Sequence, residues 1–218
     1  MSQAKDAAIS TVKNLPTPIA TLAVTLSGFS AVWAGVIAMG VGLLTVYTDL
    51  AVSRGSELLD YIKNHHEEFV EGVVSSAEFK TAFINVWEMH IRESDKNKRK
   101  RLRYYLLNLG NGKDIPNDTH TKIYSVVQQM TEREATALGV IVKASDRQQF
   151  RHMNLNTNGL FELSTWSDDQ KKDALHSLHS YRLIDITDAT IGNDMTIQQV
   201  TPFGEMFYDY VIIKPPVF

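Results

Sequence analysis

The feature that most limits how this chain can fold is a run of 35 residues without a charged side chain, from Asn14 to Thr48. A helix needs roughly 20 mostly apolar residues to cross a membrane, and a buried helix of a water-soluble protein is usually shorter. Two full spans joined by a turn would need roughly 40 residues. The run therefore predicts one N-terminal transmembrane helix, with a broken hairpin and a buried helix as the alternatives.

Small side chains recur within this run at the spacing of a single helix face. Such a stripe lets two helices approach closely in a membrane, where packing rather than the hydrophobic effect drives association. The stripe predicts a homo-oligomer formed through the anchors, with a single anchor of ordinary glycine content as the alternative. Its members are Ser27, Ser30, Ala31, Ala34, Gly35, Ala38 and Gly42.

The orientation of the anchor depends on the positive charges that flank it. Lys5 and Lys13 precede the run, and Arg54 and Lys63 follow it, so the flanks are balanced. A stronger basic cluster lies further along the chain, and basic segments stay preferentially on the cytoplasmic side. The run is too long for the apolar part of a signal peptide. We therefore expect an inner or plasma membrane protein with most of the chain in the cytoplasm.

The segment after Arg54 has the pattern of short amphipathic helices, with apolar residues at steps of three and four. Ser75 with Glu78, and Thr131 with Glu134, have the spacing of capping boxes that begin helices. The fold class predicted is mainly α: a transmembrane helix, a bundle of four or five helices, and a C-terminal winged-helix-like module with one β-hairpin. The predicted boundaries are 1–16 for the tail, 17–48 for the membrane segment, 49–163 for the bundle and 164–218 for the module.

The segment "KNKRKRLRYY" carries six positive charges although the whole chain has a net charge of −3. Such a cluster favours phosphate, either in nucleic acid or a nucleotide or in the headgroups of anionic lipids. A solvated helix face that happens to be basic is the third interpretation. The candidate phosphate- or lipid-binding residues are Lys96, Lys98, Arg99, Lys100, Arg101 and Arg103.

Signals for catalysis are weak in this sequence. There is no cysteine, no glycine-rich phosphate loop and no G-x-S-x-G motif, so no thiolate site or serine elbow is indicated. Arg147 and His152 match the R-x4-H spacing of HEPN ribonucleases, but a motif this short is expected by chance. His176 and His179 lie three residues apart without a third ligand nearby, so no metal site is predicted. We expect a protein without a cofactor that is not an enzyme, with the HEPN-like ribonuclease as an alternative.

The last fifty residues follow a different pattern. Ser167 is placed to cap a helix, "RLIDIT" and "MTIQQV" read as two strands joined by the turn "DATIGND", and Thr201 with Pro202 is a typical helix start. A helix, a two-stranded wing and a final helix together are typical of the second half of a winged-helix fold. A DNA-binding recognition helix would be basic, but this one begins with Asp168 and Asp169. We therefore expect this module to be a protein-interaction or assembly element, with DNA binding as the alternative.

A family resemblance covers roughly residues 76–211. "HSLHSYRLIDI" followed by "VTPFGEMFYDYV" is similar to the L-x-x-x-G-L-I … L-T-x-x-G-x-x-F pattern that ends many uncharacterised bacterial proteins, and "DKNKRKRLRYYLLNLGNG" and "IYSVVQQMTEREATAL" resemble the helices before it. This chain has Arg182 where the pattern has glycine. Some of these proteins carry a membrane segment and are associated with defence against phage. The resemblance implies the same setting here.

The sequence thus leads to one main hypothesis and two alternatives. The main hypothesis is a membrane-anchored, self-associating sensor or effector that acts at the lipid bilayer in antiviral defence. The first alternative is a membrane-tethered protein that binds nucleic acid or a nucleotide through residues 96–103. The second is the HEPN-like ribonuclease.

Overall fold

The structure is a computed structural model, and it describes residues 49–113, 115–148, 155–156, 163–188 and 195–213. The chain divides into two compact units between Ile115 and Pro116. The predicted membrane segment, 17–48, lies outside the described residues. Among the described residues, no helix is both long and apolar enough to cross a membrane. The prediction of a mainly helical chain is confirmed for the part that the structure describes.

The first unit consists of helices joined by short turns. Helices α1 and α3 pack against each other, as do α3 and α4, and α1 also contacts α4. A short 3₁₀ helix, His66–Glu68, follows α1. The helices are α1 (Asp49–Asn64), α2 (Glu71–Val74), α3 (Ala77–Arg92) and α4 (Lys96–Gly110).

Side-chain caps fix where two of these helices begin. The Ser76 hydroxyl accepts a hydrogen bond from the Phe79 amide at the start of α3. The predicted cap at Ser75 is therefore wrong by one residue, because the Ser75 hydroxyl instead donates to the Gly72 carbonyl. Asp95 begins α4 by accepting from the amide of Asn97 at 2.7 Å. Such caps satisfy amides that have no partner within the helix, and each stabilises a helix by about 1 kcal/mol.

The core of the first unit is built around large side chains of α1, α3 and α4. Each has almost no exposed surface, and burying a side chain of this size stabilises a fold by roughly 1.5–3 kcal/mol. Because three helices contribute to one core, α1 is an integral part of this unit. The largest members of this core are Leu58, Ile62, Phe79, Phe83, Trp87, Ile91, Leu102 and Tyr105.

The second unit combines helices with a small antiparallel sheet in the strand order β1-β3-β2. The predicted hairpin is confirmed, since β2 and β3 pair from Ile184 opposite Val200 to Asp188 opposite Met195. Strand β1 pairs with the other edge of β3 and was not predicted. The elements are α5 (Asn117–Gln129), α6 (Glu132–Gln148), β1 (Leu155–Asn156), α7 (Asp168–Ser180), β2 (Ile184–Asp188), β3 (Met195–Val200), α8 (Pro202–Phe207) and a π-helical turn (Tyr208–Ile212).

The predicted capping residues of the second unit are confirmed. Thr131 and Glu134 form a reciprocal capping box at α6, in which the Thr131 amide donates to the Glu134 carboxylate at 2.6 Å. Ser167 forms a second box with Gln170 at α7. The Thr201 hydroxyl accepts from the Gly204 amide at the start of α8. Local sequence therefore sets these helix boundaries, as the spacing indicated.

The end of the second unit explains why its sequence takes the form T-x-x-G-x-x-F. Gly204 lies so close to the Leu183 carbonyl that a Cβ atom there would collide with backbone. The Thr201 amide donates to the same carbonyl at 3.0 Å, which fixes α8 against the turn before β2. Phe207 is fully buried one turn later. Each of the three residues thus has a separate physical role in seating this helix.

Arg182 has a φ of 60°, which is the left-handed region that favours glycine. We predict that Arg182→Gly raises the free energy of unfolding of the second unit by about 1 kcal/mol, because glycine removes the steric cost of this conformation. Urea denaturation followed by circular dichroism measures the change. The control is His176→Gly in the exposed interior of α7, which should lower stability by up to about 1 kcal/mol. If both substitutions changed the free energy of unfolding equally, the positive φ of Arg182 would not be the cause of the stabilisation.

Candidate functional site

The candidate site is centred on Glu57, in the middle of α1. One of its carboxylate oxygens accepts a hydrogen bond from the Arg99 Nε at 2.9 Å, and the other pairs with the guanidinium of Arg103. The two arginines are four residues apart on α4 and therefore lie on the same helix face. The Arg99 side chain is 7% exposed and that of Glu57 is 34% exposed. One carboxylate thus joins α1 to two successive turns of α4.

Arginines also hold the connection between α3 and α4. The Arg99 guanidinium donates to the carbonyls of Glu93 and Ser94 at 3.1 and 3.0 Å. Arg54 of α1 donates to the carbonyls of Ile91 and Arg92 at 3.1 and 3.2 Å. Carbonyls at the end of a helix have no partner within it, and cations bind there favourably. The end of α3 is therefore held by cations from both neighbouring helices.

Aromatic rings continue this arrangement along α1. The Arg103 guanidinium lies over the ring of Tyr61, 5.3 Å from its centroid, and the same ring stacks on His65 at 4.1 Å. A cation over an aromatic face is stabilised by the negative potential of the ring. Burial raises the pKa of the Tyr61 hydroxyl, and that hydroxyl has no hydrogen-bond partner. Tyr61 thus remains neutral and shields the ion pair on one side.

His90 of α3 is the most unusual member of the site, because it is fully buried and neither ring nitrogen has a hydrogen-bond partner. Burial lowers the pKa of His90 to about 3, against the opposing effect of the nearby Glu57 carboxylate. The positive charges of Arg103 and Arg99 lower the pKa further, and the backbone at Arg54 raises it slightly. His90 is therefore neutral at physiological pH. An unpartnered buried polar group costs about 1–3 kcal/mol, so other contacts must hold it there.

For Glu57, in contrast to His90, the hydrogen bonds and charges of its neighbours together have a larger effect on the pKa than burial has. Burial alone would raise the pKa of its carboxyl group, but hydrogen bonds and attraction from Arg103 and Arg99 outweigh burial and lower it. Glu57 is consequently ionised at neutral pH, as the ion pairs require. We refer to this group as the Glu57 cluster; its members are Arg54, Glu57, Tyr61, His90, Arg99 and Arg103.

The basic segment predicted from the sequence is divided by the structure. Arg99 and Arg103 belong to the Glu57 cluster, and Arg101 is buried. Lys96 and Lys100 are exposed, with the Lys100 ammonium 5.4 Å from the centre of the Tyr104 ring. The remaining member, Lys98, is half-buried. Phosphate or lipid binding by all six residues stays a prediction, but only part of the set faces solvent.

Other predicted site residues lie outside the described part of the chain. The small-residue stripe, Ser27 to Gly42, belongs to residues 1–48, and so does the self-association predicted from it. Of the R-x4-H pair, neither the Arg147 side chain nor any part of His152 is described. Within the described ranges, no three His, Asp or Glu side chains are grouped so as to hold a metal ion.

The residues that the sequence reasoning missed are Arg54, Glu57, Tyr61 and His90. His90 left a signal, because it stands in the apolar stripe of α3 between Trp87 and Ile91 and is therefore placed in the core. Glu57 adjoins Leu58 and Leu59, but nothing in the sequence alone links it to residues 42 and 46 positions later. The pairing depends on how α1 packs against α4. Chemically, the arrangement is a half-buried electrostatic contact between helices.

No protein-family model, curated protein sequence or solved structure matches this chain. The interpretation of the site therefore depends on its own geometry.

We predict that Glu57→Gln lowers the free energy of unfolding of the first unit by about 2 kcal/mol, because two poorly exposed arginines lose their counter-charge. The pKa of Glu57 lies below its ordinary value of 4.5, so its contribution is present above that pH and is lost as the pH falls further. Urea denaturation at pH 7 and pH 4 measures both effects. The matched control is Asp60→Asn on the exposed side of α1, which should change stability by less than about 0.5 kcal/mol.

His90 gives a second and separate pH dependence. The unfolded chain binds a proton near pH 6.5 whereas the folded chain does so only near pH 3, so stability falls as the pH drops from 6.5. We predict a loss on the order of 1 kcal/mol between pH 7.5 and 5.5 from this group alone. His90→Leu should remove that loss and raise stability at pH 7.5 by about 1 kcal/mol or more, because it replaces a buried polar ring that has no hydrogen-bond partner. An identical pH dependence in His90→Leu and the parent chain would contradict the burial of a neutral imidazole.

Proposed function

We propose that this chain is a membrane-anchored, self-associating sensor or effector whose cytoplasmic helical domain is mechanically coupled to its anchor. The observation that carries the proposal is the position of the Glu57 cluster. The uncharged run ends at Thr48, and α1 is described from Asp49 onward. Glu57 lies eight residues after Asp49, which corresponds to about 12 Å along a helix. The strongest contacts of α1 are thus close to the end of the predicted span.

The coupling follows from the kind of contact that holds α1. Glu57 is joined to α4 through two arginines, and Arg54 is joined to the end of α3, so α1 cannot shift without breaking charged contacts. Packed interfaces of this kind tend to have discrete arrangements rather than to deform continuously. A displacement of the anchor, or a change in its oligomeric state, would be transmitted to α3 and α4 in the same way. A signal in the helical domain would be transmitted to the membrane by the reverse route.

The second unit supplies the partner-binding end in this proposal. The order α6, β1, α7, β2, β3 and the sheet order β1-β3-β2 support a winged-helix-like module. The helix in the recognition position, α7, exposes Asp168, Asp169 and Asp173. Negative charge on that helix opposes contact with DNA phosphates. A protein partner therefore fits this surface better than DNA. Antiviral defence as the setting is supported by the sequence resemblance over residues 76–211.

The test expresses the full chain in bacteria and measures the entry of a membrane-impermeant dye. We predict that expression raises dye entry, that Glu57→Gln reduces this effect several-fold because α1 is uncoupled, and that Asp60→Asn leaves it unchanged. Alkaline carbonate extraction of the same cells should leave the chain in the membrane fraction. Val32→Arg with Ile37→Arg should release it, since each central charge costs roughly 2.5–3.5 kcal/mol in a span, whereas Val32→Leu with Ile37→Leu should not.

Two results would contradict parts of this proposal separately. A full chain released by carbonate has no integral anchor. A retained chain that raises no dye entry, or that acts equally well with Glu57→Gln, is anchored but does not use the Glu57 cluster to alter the membrane. Circular dichroism of the purified variants shows whether a loss of effect reflects unfolding.

A further inference from the structure

The contacts of the Glu57 cluster fix the relative direction of the helices in the first unit. Arg54 contacts the carbonyls of residues 91 and 92, Glu57 contacts Arg99 and Arg103, and Tyr61 lies against Arg103. Moving forward along α1 therefore means moving forward along α4. The beginning of α1, the end of α3 and the beginning of α4 consequently lie at the same end of this unit.

This end of the unit gathers positive charge that is distant in the sequence. Arg92, Lys96 and Lys100 are all exposed there, although they follow the uncharged run by more than forty residues. We call these three residues the basic end. Lys96 is level with about Arg54, and Arg54 is five residues after Asp49, or roughly 8 Å along the helix axis. The basic end thus lies within about two helical turns of the point where the uncharged run stops.

Acidic neighbours cancel only part of this charge. Glu93 and Asp95 lie in the same turn, and their carboxylates accept hydrogen bonds from the backbone amides of Asp95 and Asn97. Arg54 and Lys98 add two more positive charges at this level of the unit, and Glu57, Glu88 and Arg99 lie near the level of Lys100. The described side chains from this end to the level of Lys100 therefore carry six cations against four anions. Such an excess acts over roughly 10 Å at physiological ionic strength, which spans the distance to the end of the run.

We propose that the basic end binds the headgroups of anionic lipids in the cytoplasmic leaflet. This inference rests on the proposed function, because it takes residues 17–48 to be the span. Each lysine or arginine near an anionic surface strengthens binding about fivefold, so three of them contribute about a hundredfold. The contact also determines orientation, since it adds positive charge to the C-terminal flank of the run and breaks the balance between the two flanks.

Lipid fits this surface better than nucleic acid does. Arginine binds the phosphates and bases of nucleic acids through its planar, bidentate guanidinium group. Here Arg99 and Arg103 are instead paired with Glu57. The exposed cations are mainly lysines, which act as point charges and suit a fluid layer of headgroups. Because the basic end lies close to the end of the uncharged run, its side chains would be near the membrane surface whenever that run is inserted in the bilayer.

The test uses the natural absence of cysteine, which allows one label in an unaltered background. Asn97→Cys, within the basic end, and Thr81→Cys, about 16 Å earlier along α3 from Arg92, carry the same fluorophore in the full chain. Flotation and quenching by a headgroup-attached nitroxide are measured with phosphatidylcholine vesicles and with vesicles containing 30% phosphatidylglycerol. We expect flotation with both, and at least threefold stronger quenching at residue 97 than at residue 81 in anionic vesicles only.

Charge reversal supplies the matched comparison. Lys96→Glu with Lys100→Glu should abolish the extra quenching at residue 97, whereas Lys63→Glu with Lys80→Glu, which removes the same charge elsewhere in the unit, should leave it intact. Circular dichroism confirms that both variants remain folded. Equal quenching at residues 97 and 81 in a chain that floats would contradict the proposed lipid contact. It would not contradict the proposed membrane anchor.

The remaining outcomes separate the two proposals. Flotation with anionic vesicles alone, lost on Lys96→Glu with Lys100→Glu, supports the lipid contact and overturns the anchor. Absence of flotation with both kinds of vesicle overturns both. A fluorescence change at residue 97 with single-stranded RNA that anionic vesicles do not produce overturns the lipid assignment in favour of nucleic acid.

Discussion

The first unit depends on one carboxylate that satisfies two arginines. Without Glu57, the guanidinium groups of Arg99 and Arg103 would lie side by side against α1. They would have little contact with solvent and no negative charge to balance them. Removing water from a charge costs several kcal/mol, and the cost is recovered only when partners and geometry are good. Arg99 meets that condition through Glu57 and two backbone carbonyls. The positions of α1, α3 and α4 relative to one another are therefore determined together.

The buried imidazole of His90 lowers the stability of this arrangement. A fully buried imidazole without a partner destabilises the fold, and an apolar residue would fill the same place more favourably. Burial, with a smaller effect of the two positive guanidinium groups nearby, lowers the pKa of the ring and keeps it neutral, which confines the charge of the site to the ion pairs.

Local features of the fold could be predicted from the sequence, but the site could not. The capping residues Thr131, Ser167 and Thr201 act over three positions, so their spacing was enough to place helix starts. The hairpin was likewise a local pattern. Strand β1 has two residues and forms only by pairing with Ile197 and Thr196, some forty residues later, so no local signal marked it. The contact of Glu57 with Arg99 is non-local in the same sense, and nothing in the basic segment alone indicated which of its six cations would be buried.

Those six cations differ in a way that their chemistry explains. All three arginines are buried or paired, whereas the lysines are exposed or half-buried. Guanidinium is more weakly hydrated than ammonium, and its donors form a fixed fork that satisfies carboxylates and carbonyls within a protein. Ammonium is strongly hydrated, and its flexible stem favours solvent or a headgroup layer. In a mixed basic helix, the kind of cation thus indicates which face it occupies, and α4 stabilises the bundle through its arginines while Lys96 and Lys100 face solvent.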